Sequence, residues 1–68
     1  MSDQRSPGEK ITAYLSGIPG YASVQMIAAG AQVSEREVRL FLAALEAAGR
    51  LDTYGPPASP GFRLRPRP

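Results

Sequence analysis

The 68-residue chain contains no cysteine, no histidine and no tryptophan. Without cysteine there is neither a disulfide nor a thiolate metal site, and without histidine as well the common zinc ligand sets are excluded. The lack of histidine also removes the usual general base near neutral pH. The sequence shows no phosphate-binding glycine loop and no paired carboxylates suited to a pocket. It therefore argues against an enzyme, and no metal or cofactor is predicted.

Long hydrophobic runs are missing too. No apolar segment approaches the roughly 20 residues that span a bilayer, and residues 1–8 lack the apolar core of a secretion signal. We therefore expect a cytoplasmic protein without membrane association. A chain of 68 residues holds one small domain, which buries about 60% of its extended surface. The net charge of +2 is weakly basic, so the position of the charges matters more than their sum.

A start signal for a helix occurs near the beginning of the chain. Ser6 is a preferred N-cap residue, Pro7 suits the first helical position, and Glu9 has the spacing of a capping box with Ser6. Apolar residues then recur at helical spacing: Ile11, Tyr14, Leu15 and Ile18. These signals predict a helix over residues 7–16 that Gly17 ends. Its apolar stripe is expected to cover the hydrophobic side of the helices that follow.

The second helix signal is short. Ser23 is a suitable N-cap, and apolar side chains follow on one face at Val24, Ile27 and Ala28. We therefore predict a helix from Val24 to about Ala29, whose apolar face packs across the axis of the next helix.

The strongest helix signal begins at Ser34. Ser34 and Glu37 have capping-box spacing, in which the serine hydroxyl accepts from the Glu37 amide and the carboxylate accepts from the Ser34 amide. The apolar residues behind the cap share one face: Val38, Phe41, Leu42 and Leu45. Gly49 ends the helix, because glycine takes the left-handed cap conformation without a Cβ penalty. Two helices joined by a short turn form a helix-turn-helix, and we expect Leu45 to be buried among all three helices.

Beyond the third helix the apolar period changes from that of a helix to that of a strand. Residues 50–54 and 62–65 alternate, and the segment between them holds three prolines and two glycines. We predict a two-stranded hairpin with a long, semi-rigid tip, in which Leu51 and Thr53 share one face. The side chains expected to close the core are Leu51, Phe62 and Leu64.

Residues of the second and third helices carry a family resemblance. The matching positions are Ile27-Ala28-Ala29, Val33-Ser34, Val38-Arg39 and Leu42 to Leu51. This pattern resembles the winged helix-turn-helix of GntR-type bacterial regulators, and it is similar to the small winged domains appended to DNA-processing proteins. The family commonly has glycine where this chain has Gln32, beside Gly30. This departure predicts a turn displaced by a residue or two.

The resemblance implies a mostly helical α+β fold: three helices plus a wing, an antiparallel hairpin of two to three strands. The third strand is expected at Tyr21 and Ala22, which follow a Pro-Gly turn, and Tyr21 is interpreted as a partly buried structural aromatic. The winged helix domain is expected to span residues 6–65. Residues 1–5 are expected to be disordered, and residues 66–68 to form an extended basic tail.

DNA contacts are predicted first on the outward face of the third helix. Arg36 and Arg39 are suited to donate to a guanine edge or a phosphate, and Leu40 or Ala43 to touch a thymine methyl group. The alternative is that both arginines are merely solvated. Glu35 and Glu37 oppose DNA binding because their carboxylates repel phosphates, although acidic residues also stabilise the start of a helix.

The second basic group lies at the end of the chain. Arg63, Arg65 and Arg67 alternate on one side of the last strand and its extension, and no acidic residue follows Asp52. We predict that they contact phosphates, with the Tyr54 hydroxyl as a further donor at the base of the wing. The alternative is a charged edge strand that resists sheet-to-sheet association.

These observations favour a small DNA-binding protein that acts on double-stranded DNA as a transcriptional regulator or an accessory factor. The alternative is a protein-interaction module that kept the fold without DNA affinity, which the exposed Leu40 and the two glutamates favour. The sequence also leaves a homodimer open, which would have to use the first helix or the wing.

Overall fold

The computed structural model describes residues 5–65. It contains three helices and two strands: α1 (Pro7–Gly17), α2 (Val24–Ala31), α3 (Glu35–Ala47), β1 (Leu51–Tyr54) and β2 (Gly61–Leu64). The expected tail at 66–68 and most of the expected disordered segment at 1–5 lie outside the described residues. Between residues 5 and 65 no helix is long and apolar enough to cross a membrane.

Serine caps begin all three helices, as predicted. At Ser34 both halves of the capping box form: the hydroxyl accepts from the Glu37 amide at 3.1 Å, and Glu37 Oε1 accepts from the Ser34 amide at 3.2 Å. At Ser6 the hydroxyl accepts from the Glu9 amide at 3.3 Å, whereas the Glu9 carboxylate accepts from the serine hydroxyl and not from its amide. The capping box predicted at Ser6 and Glu9 is therefore only half formed.

The turn between α2 and α3 is not displaced, which corrects the expectation from the sequence. Gln32 itself takes the left-handed conformation, with φ 58° and ψ 47°, although such a conformation carries a steric cost for a residue with a Cβ. Gly30 is not free to serve as the turn residue. It lies within α2, where a Cβ would overlap the Tyr14 ring of α1, so this glycine permits close packing of the two helices.

The C-terminal ends of α1 and α3 were both predicted to be set by a glycine, and only that of α3 is. Gly17 was predicted to stop α1, but it is the last helical residue, and the chain becomes extended at Ile18 (φ −90°, ψ 147°). The residue before a proline avoids the helical region, so Pro19 accounts for this end. Gly49 behaves as predicted, with φ 72°. Its amide donates to Glu46 O at 3.0 Å and the next amide donates to the Leu45 carbonyl at 2.9 Å, which is the Schellman arrangement.

The hairpin is antiparallel, and its register pairs Leu51 with Leu64 at the base and Tyr54 with Gly61 near the tip. The predicted short third strand is reduced to a single β-bridge at Ala22, which does not include Tyr21. The Ala22 amide donates to Phe62 O at 2.9 Å, and the Phe62 amide donates back to Ala22 O at 2.8 Å. The segment between α1 and α2 is thereby attached directly to the wing.

The core lies between the three helices and the inner face of this sheet. Its buried members are Ile11, Leu15, Ala22, Ile27, Ala31, Val38, Leu42, Leu45 and Leu51. Leu45 is 8% exposed, which confirms its predicted burial. Phe41, Phe62 and Leu64 are partly buried and pack against the core. Thr53 was expected to share the inner face with Leu51 but is exposed. It lies on the edge strand, whereas its register partner Phe62 lies between β1 and Ala22 and packs against the core.

Candidate nucleic-acid interface

The outward face of α3 carries one group of the residues proposed from the sequence. Arg36, Arg39, Leu40 and Ala43 are all exposed, because the buried positions of this helix lie on its opposite side. We call these four residues the helix surface. Leu40 is 66% exposed, so its side chain is accessible to a ligand. The structure therefore brings the four predicted side chains together on one accessible face.

The two arginines of the helix surface differ in their surroundings. Arg39 Nη2 lies 3.3 Å from Glu35 Oε1, one helical turn away. Both side chains are well exposed, and an exposed pair of this kind contributes only about 0.3–0.5 kcal/mol. Arg36 forms no ion pair with any other residue between 5 and 65. The full charge of Arg36 is thus available to a ligand. The ion pair between Glu35 and Arg39 could have been predicted from their i, i+4 spacing.

The tip of the wing lies beside the start of α3. A cleft of about 190 Å³ separates them. It is lined by Ser23, Val24, Gln25, Glu35, Arg39, Ala58, Ser59 and Pro60. The tip is folded back by a hydrogen bond from the Ser59 amide to Pro56 O at 3.0 Å. The helix surface and the wing tip therefore meet around Arg39, a proximity that depends on tertiary packing and that the sequence does not predict.

The outer face of the hairpin carries the second predicted group. Tyr54, Arg63 and Arg65 lie there together with Asp52, which faces Arg63 across the register. Asp52 Oδ1 accepts from Arg65 Nε at 3.1 Å, and Asp52 Oδ2 lies 3.6 Å from Arg63 Nε, an ion pair without a hydrogen bond. Arg65 also donates to Gly49 O at 3.4 Å. One aspartate thus partly neutralises two of the arginines that were predicted to contact phosphates.

Tyr21, which directly precedes the bridge at Ala22, also lies at this outer face. Its ring centroid lies 5.3 Å from that of Tyr54, with the planes tilted by 31°. The Arg63 guanidinium carbon lies 5.0 Å from the Tyr21 centroid, within the range of a cation–π contact. The Tyr21 side chain covers Gly61, where an added Cβ would lie 2.8 Å from Tyr21 Cβ. Tyr21 is 39% exposed and Tyr54 is 69% exposed.

We call Tyr21, Tyr54, Arg63, Arg65 and Asp52 the sheet surface. The opposite side of the same hairpin, with Leu51, Phe62 and Leu64, packs against the helices, so the sheet surface faces away from them. The residues predicted to contact DNA are therefore divided between two surfaces. Arg67 lies outside the described residues.

The wing arrangement also occurs in known structures. No family model and no curated protein matches this chain. The crystal structure of the apo-Zalpha of zebrafish PKZ is similar over 87% of this chain and 91% of that one, with a TM-score of 0.74 and 22% identity. Human N-acetylserotonin methyltransferase in complex with SAM is similar over 84% of this chain but only 17% of its own, with a TM-score of 0.71 and 22% identity. These similarities concern the fold, and they confirm the predicted class: three helices and an antiparallel hairpin that form a winged helix.

Proposed function

We propose that this winged helix binds double-stranded DNA, with α3 in the major groove and the wing against the adjacent backbone. The observation that carries this function is the helix surface, an exposed helix face that is basic and otherwise made of uncharged side chains. A helix fits the major groove when its outward side chains are small or can bond to base edges. Because the sequence has neither histidine nor cysteine, we propose binding and not catalysis.

Within this arrangement each side chain has a chemical task. Arg36 and Arg39 donate hydrogen bonds to guanine or to phosphate oxygens, while Leu40 and Ala43 contact thymine methyl groups. Arg36 is the stronger candidate, since none of the described residues neutralises it. Arg39 lies at the cleft beside the wing tip, where a backbone that passes between helix and wing would run.

The wing supplies the phosphate contacts in this proposal. Arg63, Arg65 and Arg67 offer positive charge, and the Tyr54 hydroxyl offers a donor. Phosphates must compete with Asp52 for two of these arginines. Since exposed ion pairs are weak and screened by salt, this competition lowers the affinity without abolishing it.

The acidic residues at the start of α3 are accommodated by their local contacts. Glu37 accepts from the Ser34 amide in the capping box, and Glu35 pairs with Arg39. Carboxylates at this end also stabilise the helix through its dipole. In a complex, Glu35 limits which bases are tolerated next to Arg39, for example by accepting from cytosine N4.

Salt dependence tests the proposed function directly. Fluorescence anisotropy with a labelled random duplex at two salt concentrations should show binding that weakens steeply as salt rises, because each phosphate contact releases counterions. Replacement of Arg63 and Arg65 by alanine should weaken binding to this random duplex, whereas Met26→Ala removes an exposed apolar side chain of α2 and serves as the control. If no duplex binds even at low salt, the DNA-binding function is wrong.

The type of regulator, the cellular location and the oligomeric state are more specific parts of this proposal. A transcriptional regulator of the GntR type, or an accessory DNA-binding factor, fits a small winged helix with an exposed helix surface. Cytoplasmic location and homodimerisation through α1 or the wing stay predictions. Size-exclusion chromatography with light scattering measures the oligomeric state, and a constant monomer mass up to high concentration would exclude the dimer.

A second candidate function is a protein-interaction module without DNA affinity. One observation favours it: Leu40 is exposed beside the half-buried Phe41, and both line an open apolar groove of about 360 Å³. Pro7, Gly8 and Ala44 complete its apolar lining. This function predicts that Leu40→Ala abolishes partner binding while duplex binding is absent in the parent, so the same anisotropy experiment separates the two functions.

A further inference from the structure

The sheet surface combines exposed aromatic rings with arginines on one side of a rigid hairpin. We propose that it is a second nucleic-acid site, which binds unpaired bases of a single strand by stacking on Tyr54 and holds the strand's phosphates with the neighbouring arginines. This assignment goes beyond the duplex function, which uses the wing residues only for backbone contacts, because it gives the sheet surface a different form of nucleic acid and a stacking role.

The aromatic geometry supports stacking. Tyr54 is 69% exposed, although one side of its ring is in contact with Tyr21 at a centroid distance of 5.3 Å. Rings whose centroids are 5.3 Å apart leave no room for a base between them, so a base would stack on the free side of Tyr54. Stacking on an aromatic side chain is tolerant of sequence, since every base has a π face.

The sheet surface is ordered before any ligand binds. Tyr21 is held over Gly61 and carries the Arg63 guanidinium at 5.0 Å. The backbone of the same segment is fixed by the two hydrogen bonds between Ala22 and Phe62. A ligand therefore meets side chains that have already given up much of their rotamer freedom, which lowers the entropic cost of binding.

The charge of this face selects the class of ligand. Arg63 and Arg65 against Asp52 give the sheet surface a net charge of +1. An uncharged apolar peptide would gain nothing from these arginines, whereas a nucleic-acid strand supplies both rings to stack and phosphates to neutralise them.

A single strand suits this face better than a duplex. Bases inside a duplex are stacked on their neighbours, and exposing one to a protein ring requires it to be unpaired at a cost of a few kcal/mol. Unpaired bases present their faces freely.

Two labelled oligomers of equal length separate stacking from plain charge attraction. One is oligothymidylate, and the other has the same backbone with abasic sites throughout. In anisotropy at low salt, the parent protein should bind oligothymidylate more tightly than the abasic oligomer. Tyr54→Ala should lower the affinity for oligothymidylate by about 5-fold or more, the smallest effect expected for one stacked base, and lower the affinity for the abasic oligomer much less, since only a hydroxyl contact to phosphate is lost there. Tyr54→Phe, which keeps the ring and removes only the hydroxyl, should keep the preference for oligothymidylate over the abasic oligomer.

Three outcomes would show that the sheet surface is not a separate site for single strands. Equal binding of both oligomers by the parent, or an unchanged affinity of Tyr54→Ala for oligothymidylate, would overturn the assignment. So would a Tyr54→Ala variant that weakens duplex and oligothymidylate by the same factor, because the two surfaces would then be one site. If oligothymidylate binds with this dependence on Tyr54 while no duplex binds, the duplex function fails and the sheet-surface assignment stands. A thermal melt of each variant checks the fold.

Discussion

The Asp52 carboxylate accepts a hydrogen bond from the Arg65 guanidinium at 3.1 Å across the wing hairpin. The same carboxylate lies opposite Arg63 in the strand register, so one acidic residue faces two of the basic residues expected to contact phosphates. The positive charge of the wing is therefore smaller than the sequence suggests. Any polyanion that binds there must displace or share these contacts.

Removing this carboxylate should strengthen nucleic-acid binding. Asp52→Asn keeps the side-chain shape and frees the charges of Arg63 and Arg65, so affinity for duplex and single strand should rise and the salt slope should steepen by up to about one unit for each additional phosphate that is bound. Anisotropy at several salt concentrations measures both quantities. As a control, Glu46→Gln removes an exposed carboxylate from the end of α3. An equal increase in affinity from both variants would assign the effect to net charge alone.

The two groups of arginines should differ in what they contribute to duplex binding. Replacement of Arg63 and Arg65 by alanine should weaken all duplexes about equally and flatten the salt slope by roughly one unit for each phosphate that is no longer neutralised. Replacement of Arg36 should cost about 1–3 kcal/mol on a preferred site and much less on random DNA. Selection of a preferred site from a random pool, followed by titration of each variant, measures the difference. Identical effects on both DNAs for all variants would contradict this division.

Burial of Leu45 makes it a sensitive probe of the core. Leu45→Ala should lower the free energy of unfolding by about 2–5 kcal/mol, which is a large part of the stability of a small domain. The matched control is Leu40→Ala, since Leu40 is 66% exposed on the same helix and its truncation should leave the melt nearly unchanged. Urea denaturation of both variants gives the comparison, and similar midpoints would mean that Leu45 does not hold the helices together.

Two glycines of the helices should respond to alanine in opposite directions. At Gly30 a Cβ would overlap the Tyr14 ring, so Gly30→Ala should destabilise the fold by about 1–3 kcal/mol as α1 and α2 are forced apart. At Gly17 no atom lies within 4 Å of the Cβ position and the residue is helical. Gly17→Ala should therefore stabilise by about 0.4–1 kcal/mol. Thermal melts measure both, and a shift of the same sign in both variants would contradict the packing at Gly30.

The sequence was most informative where a structural signal is local. The Ser34–Glu37 box, the Ser23 cap and the left-handed Gly49 involve residues a few positions apart, and all three are present. The turn at Gln32 was predicted wrongly because Gly30 seemed available for the turn. Its actual role, close packing against Tyr14, depends on how two helices meet and is not visible in the sequence.

The candidate site was predictable only where its residues lie close together along one helix. Helical periodicity alone placed Arg36, Arg39, Leu40 and Ala43 on one exposed face. The pairing of Asp52 with Arg63 requires the register of a hairpin, and the long tip of this hairpin leaves several registers compatible with the sequence. The contact between Tyr21 and Tyr54 requires, in addition, the bridge from Ala22 to Phe62.

That bridge has a consequence for how the domain assembles and opens. Ala22 and Phe62 are far apart along the chain, and such pairs form late, because a long loop must close before they can meet. A two-stranded hairpin is at best marginally stable alone, so the wing should acquire its fixed orientation only when this bridge forms. In amide hydrogen exchange, the Ala22 and Phe62 amides should then exchange together, at the rate at which the wing detaches from the helices.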